Sequence, residues 1–460
     1  MKKFYITTSI AYTNAPPHIG FALESVQADV LARYYRKLNH DVFFLTGVDQ
    51  HGLKIVKKAK DQGLTTQEFV QKTTNKFKKL TKELNLSNDD FIETTDRKRH
   101  WPYVQKAWLE LINNNDIYKK KYKGFYCVGC EAFLKEKELV DKKCLIHQKE
   151  LEIIEEENYF FKLSKYAQDV KELIQKDKIK IIPKARKNEI LSFINQGVED
   201  ISVSRDKKKL SWGIPVPRDD QQIMYVWLDA LLNYTSVLNY NGSFEKYWPA
   251  DIHCLGKDIF RFHALLWPAI LLALGLKTPK TIFVHGFITV DHQKMSKSLG
   301  NVIDPFELIK KYGTDSLRYY LLREVLPTED GDFTIDKFES RYNSDLASGL
   351  GNLFSRVRKM TESGYVEQKK DLFGLGQKEE KYHLHLKEFK FQEALKVVFE
   401  IIKQADVFID KNRIWEKKNS PELGYLVFVL ERLALLLEPF LPQTSEKMRK
   451  NITPLFPRIK

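Results

Sequence analysis

The ordering of the first fifty residues constrains this chain more than any other feature: apolar strand, proline-marked loop, long helical pattern, second apolar strand. Phe4 to Ile10 is β-branched and aromatic, which reads as a buried strand. Asn14, Pro16 and Pro17 interrupt it, and Pro16-Pro17-His18-Ile19-Gly20 opens a helix in which Ile19, Leu23, Val26, Val30 and Tyr34 share one face. Asp41 to Val48 is a second apolar strand, ending at Asp49-Gln50-His51-Gly52. Strand, helix and strand in that order form a βαβ unit, so the fold class is α/β with a doubly wound parallel sheet. In such sheets ligands bind at the C-terminal ends of the strands, and Asp49 stands there.

The pattern breaks after residue 118. From 119 to 222 the chain is rich in Lys and Glu, with short strand-like pieces and a cysteine cluster, and is expected to be an insertion. Apolar patterning resumes at Ile223 to Leu232. Asp251 to Leu255 reads as a strand ending at Gly256-Lys257-Asp258, and Thr281 to Val290 as a strand pair turning near Gly286. The expected architecture is a split Rossmann sheet, residues 1–118 and 223–290, interrupted by the 119–222 insertion. Residues 291–340 form a lysine-bearing loop and a connecting region, and 341–460 a helical bundle. Within that bundle Leu346, Leu350, Leu353 and Phe354 share a face, Lys369 to Lys381 reads as a polar linker, and Leu426 to Leu441 as a central helix.

Cys127-Val-Gly-Cys130 followed by Cys144-Leu-Ile-His147 is the strongest local signal. Two ligand pairs on tight knuckles supply the four borderline-soft donors of tetrahedral zinc, and Gly129 lets the first knuckle turn sharply. A closed four-ligand site is structural, so the expected cofactor is one structural zinc held by Cys127, Cys130, Cys144 and His147; unrelated surface thiols are the alternative. Cys254 stands apart in a strand and reads as a buried apolar residue.

Two further elements suit phosphate. The amides at a helix start attract anions, and His18 can donate to a phosphate oxygen while Gly20 permits close approach. Taken alone, His-Ile-Gly is equally compatible with an ordinary helix-start histidine. Lys294-Met295-Ser296-Lys297-Ser298 places two lysines around small residues, a cationic clamp for charge developing on a phosphate; any lysine pair taken alone reads as well as a solvated loop. Their coincidence with a split Rossmann sheet excludes the bland readings.

In this order, the two elements resemble the class I aminoacyl-tRNA synthetases, and the details resemble the methionyl enzymes of the short bacterial type with one zinc knuckle. The resemblance rests on Thr8-Ser9-Ile10-Ala11-Tyr12-Thr13-Asn14-Ala15-Pro16-Pro17-His18-Ile19-Gly20, Gly47-Val48-Asp49-Gln50-His51-Gly52, the knuckle and Glu157-Asn158-Tyr159-Phe160-Phe161. Tyr225-Val226-Trp227-Leu228-Asp229-Ala230, Gly256-Lys257-Asp258 and the closing Leu455-Phe456-Pro457-Arg458-Ile459 extend it nearly end to end. Two positions depart: Phe21 stands where the family motif has a second histidine, and Leu231 where relatives often have proline.

The resemblance implies a site. His18, Gly20, Phe21, Glu24, Gly256, Asp258, Lys294, Ser296 and Lys297 would hold ATP with its magnesium, and His18, Lys294 and Lys297 would be catalytic. Asp49 would hold the methionine ammonium, with Ile10, Tyr12, Trp227, Ala230, Tyr234, Phe262, His263 and Trp267 around the side chain. Aromatic walls suit a thioether, each sulfur–aromatic contact contributing ~0.3–1.5 kcal/mol. For any single aromatic here, core packing is the competing reading. Asn352 and Arg356, four apart on one helix, and Trp415 would read the anticodon of tRNA(Met), making residues 341–460 the anticodon-binding domain. Trp415 alone reads equally well as bundle core. The implied chemistry is attack of the methionine carboxylate on the α-phosphate of ATP, then transfer to the tRNA 3′ end.

Composition sets the remaining bounds. A formal charge of +14 fits a polyanionic partner or a solvated basic surface, and hydrophobic residues at 43% suffice for sizeable cores. No apolar run reaches the ~18 residues that span a bilayer, and the start lacks a signal-peptide layout, so a cytoplasmic protein is expected, with no membrane partner. The chain closes on the bundle without a further module, for which a monomer is the expected state. Class I enzymes for valine, isoleucine or leucine need a second hydrolytic site, because one methylene discriminates by only ~1–3 kcal/mol; the 119–222 insertion is too small to hold one. A cysteine enzyme would place its zinc in the pocket. A tRNA-binding paralogue without catalysis is motivated by Phe21, and the intact lysine loop and pocket argue against it.

Overall fold

The computed structural model describes residues 1–127, 132–134, 139–140, 143–144, 151–290, 293–295, 301–362, 364–417 and 419–459. The chain divides into two compact units, Met1–Pro16, Asn39–Lys79 and Asn88–Val284 in the first, and Pro17–Leu38, Leu80–Ser87 and His285–Lys460 in the second.

The first unit is built on a six-stranded sheet, with Asp90–Glu93, Asp41–Asp49, Lys3–Tyr12, Ile252–Gly256, Thr281–His285 and Lys180–Ile182 side by side in that order. Lys3–Tyr12 pairs in parallel with both its neighbours, and Asp41–Asp49 with Asp90–Glu93. Strand order reverses between Lys3–Tyr12 and Ile252–Gly256, which makes that crevice the topological switch point where such sheets bind ligands. Tyr5, Leu45, Ile92, Leu255 and Ile282 carry the sheet's share of one continuous core with Trp108, Leu228 and Trp267 from the helices. Such near-continuous apolar strands are the mark of a parallel sheet covered on both faces. The register between Lys3–Tyr12 and Asp41–Asp49 shifts between Thr7 and Ile10, after which Tyr12 lies opposite Asp49. A bulge of this kind re-aims the residues beyond it, here at the ligand-binding end.

In the insertion, whose first strand begins two residues before 119, Ile117–Cys127, Ala132–Leu134, Glu152–Phe161 and Ile201–Ser202 make a four-stranded sheet. Leu139–Val140 and Lys143–Cys144 make a small antiparallel pair. The sequence reading missed the two helices here, Leu163–Gln175 and Lys184–Asn195, and the strand Lys180–Ile182 between them, which returns to the six-stranded sheet as its edge, pairing in parallel with Thr281–His285. Three residues carry too little pattern to be read alone.

The second unit contains the helix Ile19–Lys37, a three-stranded sheet of Gln293–Lys294, Ile288–Val290 and Gly331–Phe333, and a run of helices to Pro442–Arg449. Thr281 to Val290 is therefore not a hairpin. Its two strands join different sheets, and Gly286 lies where the chain passes between them; a side chain there would collide with the Glu329 carbonyl. The helix Ile19–Lys37 buries the expected face, and also Glu24, Ser25, Gln27 and Asp29. Arg318 accounts for one of these. Fully buried, it pairs with Asp29 at 2.7 Å and donates to the Phe440, Leu84 and Pro439 carbonyls at 2.8, 3.1 and 2.9 Å. Burial pushes the Asp29 carboxyl up, but Arg318, Arg33 and the hydrogen bonds from Ser87 together hold it below the ordinary value. Every charge there has a partner, the condition for burying charge at all. Lys369–Lys381 is only half linker, because a helix starts at Leu375. Its preceding turn is organised by Asp371, which accepts from the Phe373 and Leu375 amides at 3.1 and 2.9 Å. Among the described residues no helix is long and apolar enough to cross a membrane.

Candidate active site

Asp49 is the last residue of its strand and is 8% exposed. The Thr13 amide and hydroxyl both donate to the Asp49 carbonyl, at 2.9 and 3.0 Å, fastening the loop after the first strand to the end of the second. The Asp49 carboxylate accepts from the His51 amide at 3.2 Å and, through the same oxygen, from the Thr94 hydroxyl at 3.4 Å. Thr94 in turn accepts from the Gln50 amide at 2.9 Å. The His51 ring is buried between Trp101 and Trp212, with centroids 6.0 and 6.1 Å away, and its Nδ1 lies 3.0 Å from Asp229 Oδ2. Burial drives the His51 pKa down to about 3 and pushes the Asp229 carboxyl well above its usual range. Both shifts favour the uncharged forms.

That contact joins the Asp49 strand end to the start of the helix Val226–Tyr240, which carries Trp227, Ala230 and Tyr234. Trp227 stacks on Phe262 with centroids 3.8 Å apart and meets His263 edge-on at 6.3 Å. Phe262–Leu266 is a π-helical turn, the widened kind that recurs at functional sites. His263 Nδ1 donates to the Ile259 carbonyl at 3.1 Å, so in the neutral ring Nε2 accepts, and the Tyr234 hydroxyl donates to it at 2.8 Å. Behind Tyr234 stands His253, with ring centroids 4.4 Å apart, a residue the sequence reading passed over. Trp267 donates to His253 Nε2 at 3.3 Å, which leaves Nδ1 as the donor to Thr7 Oγ1 at 2.8 Å. Trp267 is fully buried and packs at 5.9 Å from Tyr234; it supports the wall from the core side. Ile10 packs on the main core and Tyr12 on a separate cluster with Ile55 and Phe69. The structure thus joins Trp227, Tyr234, Phe262, His263 and Trp267 by direct contacts, while Ile10 and Tyr12 approach from the sheet. Gly256 ends its strand, and Asp258 is exposed two residues on.

In the second unit His18 is the N-cap of its helix, and Pro16 and Pro17 precede the cap rather than filling the first turn. Its Nδ1 accepts from the Gly20 amide at 3.0 Å, which places the proton of the neutral ring on Nε2. A Cβ at Gly20 would lie 2.7 Å from the His18 ring, so glycine here makes room for the capping histidine. Phe21 is half-buried on the same turn, and no acidic side chain occupies that turn to oppose an anion. Glu24 is buried and bonded to His285 Nε2 at 2.9 Å. Lys294 closes the strand Gln293–Lys294. Ser296 and Lys297 lie outside the described residues, as do Cys130 and His147. Cys127 ends the strand Ile117–Cys127 and Cys144 the two-residue strand Lys143–Cys144; each is 2% exposed, in a region otherwise rich in charged residues. Buried thiols at strand ends fit knuckle ligands.

Asn352 is exposed at the start of the helix Asn352–Thr361. One turn on, Arg356 pairs with Asp406 and Asp410 at 3.3 and 2.7 Å, near the end of the helix Phe391–Asn412. Arg413 ends that helix in the left-handed conformation, φ 48°, and Ile414 is buried as the anchor. Trp415 is 53% exposed, which rules out bundle core.

The family model for tRNA synthetases class I (M) matches residues 4–144 and 135–358. The chain is 39% identical to the methionine–tRNA ligase of Thermotoga maritima, over 98% of this chain and 75% of that one. It is 40% identical to that of Brucella suis, over 97% and 91% respectively. Methionyl-tRNA synthetase of Mycobacterium tuberculosis, solved in complex with methionyl-adenylate, superposes with a TM-score of 0.92 at 36% identity, covering 98% of this chain and 93% of that one. Sheet, pocket and likeness agree, and the chain belongs to the methionine–tRNA ligases, the methionyl branch of the class I tRNA synthetases.

Proposed function

We propose that this chain activates L-methionine with ATP and transfers it to the 3′ end of tRNA(Met), for initiation and elongation of translation. The observation that carries the reading is the His51–Asp229 contact, which brings a nearly buried carboxylate, Asp49, and an aromatic wall led by Trp227 to one region of the first unit. An apolar, polarisable wall beside one carboxylate suits a thioether amino acid better than a charged or hydroxylated one.

Asp49 holds the ammonium. Trp227, Phe262, His263 and Tyr234 line the side chain, with Ala230, Ile10 and Tyr12 completing the slot and Trp267 setting Tyr234. The bound methionine carboxylate attacks the α-phosphate, and pyrophosphate leaves with its magnesium. The tRNA 3′-terminal ribose hydroxyl then attacks the adenylate carbonyl and releases AMP. Side chains form no covalent bond to substrate, so catalysis rests on positioning and charge stabilisation. His18 donates from Nε2 to the phosphates, Gly20, Phe21, Glu24, Gly256, Asp258 and Ser296 shape the nucleotide site, and Lys294 and Lys297 neutralise the charge that develops on the leaving pyrophosphate.

The five-part division into residues 1–118, 119–222, 223–290, 291–340 and 341–460 assigns one task to each part. The 119–222 insertion is stapled by a zinc on Cys127, Cys130, Cys144 and His147, which shapes it and takes no part in the chemistry. Residues 341–460 read the anticodon through Asn352, Arg356 and Trp415. The protein acts as a cytoplasmic monomer.

Anticodon reading is tested by Trp415→Ala. An exposed indole on which an unpaired base stacks is worth about 1–3 kcal/mol, so kcat/KM for charging tRNA(Met) is expected to fall by roughly 5- to 150-fold. Methionine-dependent ATP–pyrophosphate exchange without tRNA should not move. A parallel loss of both activities would return Trp415 to a structural role.

A further inference from the structure

Asp229 is fully buried, gives one carboxyl oxygen to His51, and its other, Oδ1, has no partner among the described residues. An apolar residue of similar size would be the cheaper occupant of such a place, because replacing buried polar pairs by packed apolar groups is often neutral or stabilising. Bulk therefore does not explain an aspartate here. Its one described side-chain contact is His51, whose backbone amide donates to the Asp49 carboxylate, 3.2 Å away. From the geometry we infer that the His51–Asp229 hydrogen bond is a positioning device: by fixing the His51 ring it fixes the backbone amide that aims the Asp49 carboxylate at the substrate ammonium. The inference rests on the methionine reading of the site.

Three features support it. Gly52, directly after His51, has φ 115°, so His51 sits at a sharp turn of the chain. Trp212 donates to the Gln50 carbonyl at 2.6 Å, restraining from its other side the peptide whose amide is that of His51. Trp101, whose indole donates to the Thr94 carbonyl at 2.9 Å, faces the His51 ring and ties it to the second donor on Asp49. A ring held by Asp229 and boxed by two indoles leaves the Asp49 carboxylate little freedom, as preorganised ion binding requires.

The test compares methionine with 4-(methylthio)butanoate, the same molecule without its ammonium, as ligands of the full chain. Exchange kinetics give KM for methionine and for ATP, and competition gives the inhibition constant of the analogue. Asp229→Ala is expected to raise KM for methionine about tenfold, the scale of one misplaced hydrogen bond to a charged group. KM for ATP and the inhibition constant of the analogue should be unchanged. Asp229→Leu, which keeps the packing and guards against misfolding, should behave alike. Asp229→Asn, whose amide can still donate to His51 Nδ1, should restore most of the affinity. An equal loss for methionine and analogue, no loss for either, or failure of Asp229→Asn to recover would overturn the device. A wild-type chain without methionine-dependent exchange overturns the methionine reading and the device with it; an active wild type with any of those three results overturns the device alone.

Discussion

Asp49→Ala is expected to lower kcat/KM for methionine in ATP–pyrophosphate exchange by about 2–5 kcal/mol, roughly 30- to 4,000-fold, the range for removing one member of a buried, hydrogen-bonded charge pair. The size follows from the setting. Asp49 is nearly buried, and the Thr94 hydroxyl and His51 amide hold its carboxylate at a strand end beside the switch point of the sheet. An ammonium bound there has given up its water and depends on this one carboxylate for charge. Asp49→Asn keeps the shape and removes the charge, and should lose most of the same amount. KM for ATP should stay put in both variants, because the carboxylate serves the amino acid alone. A near-normal KM for methionine in Asp49→Ala would show that another group holds the ammonium.

Lys297→Ala carries the second large effect, and it should fall on a different constant. Removal of one donor aimed at developing charge costs roughly 10²- to 10³-fold in kcat. The negative charge that Lys297 meets grows as the bond from the α-phosphorus to the leaving pyrophosphate breaks, so the interaction is worth more in the transition state than in the bound substrates. The adenylation rate in a single turnover should drop by that factor, while methionine binding followed by tryptophan fluorescence should not change. Equal loss in kcat and in kcat/KM is the signature of an interaction made only in the transition state. An unchanged single-turnover rate would reduce the lysine loop to a solvated charge run.

The sheet was legible in the sequence because its strands are buried on both faces: Phe4 to Ile10 and Asp41 to Val48 announce themselves by unbroken apolar content, and the structure extends the first by three residues and the second by one. Lys180–Ile182 was not legible, because three residues have no period, and its place in the sheet is set by pairing with Thr281–His285, a hundred residues away in sequence. Thr281 to Val290 misled for a related reason. Gly286 looks like a turn residue, but the need for glycine comes from the Glu329 backbone, remote in the chain. In the pocket, Asp49 and the aromatics could be named from their motifs. His253 could not, since a lone histidine in an apolar strand has no local signal, and its role appears only when Trp267, Thr7 and Tyr234 surround it. Gly20 shows a related limit: the residue was found, and the room it makes for the capping ring of His18 appears only in the structure. Trp415 was undecided between core and surface until its exposure settled which.

The central claim is that this pocket activates methionine and no other amino acid at a comparable rate. It is tested most directly by ATP–pyrophosphate exchange on the purified wild-type chain, with magnesium, offering each of the twenty amino acids in turn. The account predicts strong exchange with methionine and exchange at least about a hundredfold weaker with valine, isoleucine, leucine and cysteine, because the wall of Trp227, Phe262, Tyr234 and His263 fits an unbranched thioether and a misfit in such a slot costs up to ~3 kcal/mol. Exchange driven equally well by a branched aliphatic amino acid, or no exchange with any of the twenty, would contradict it.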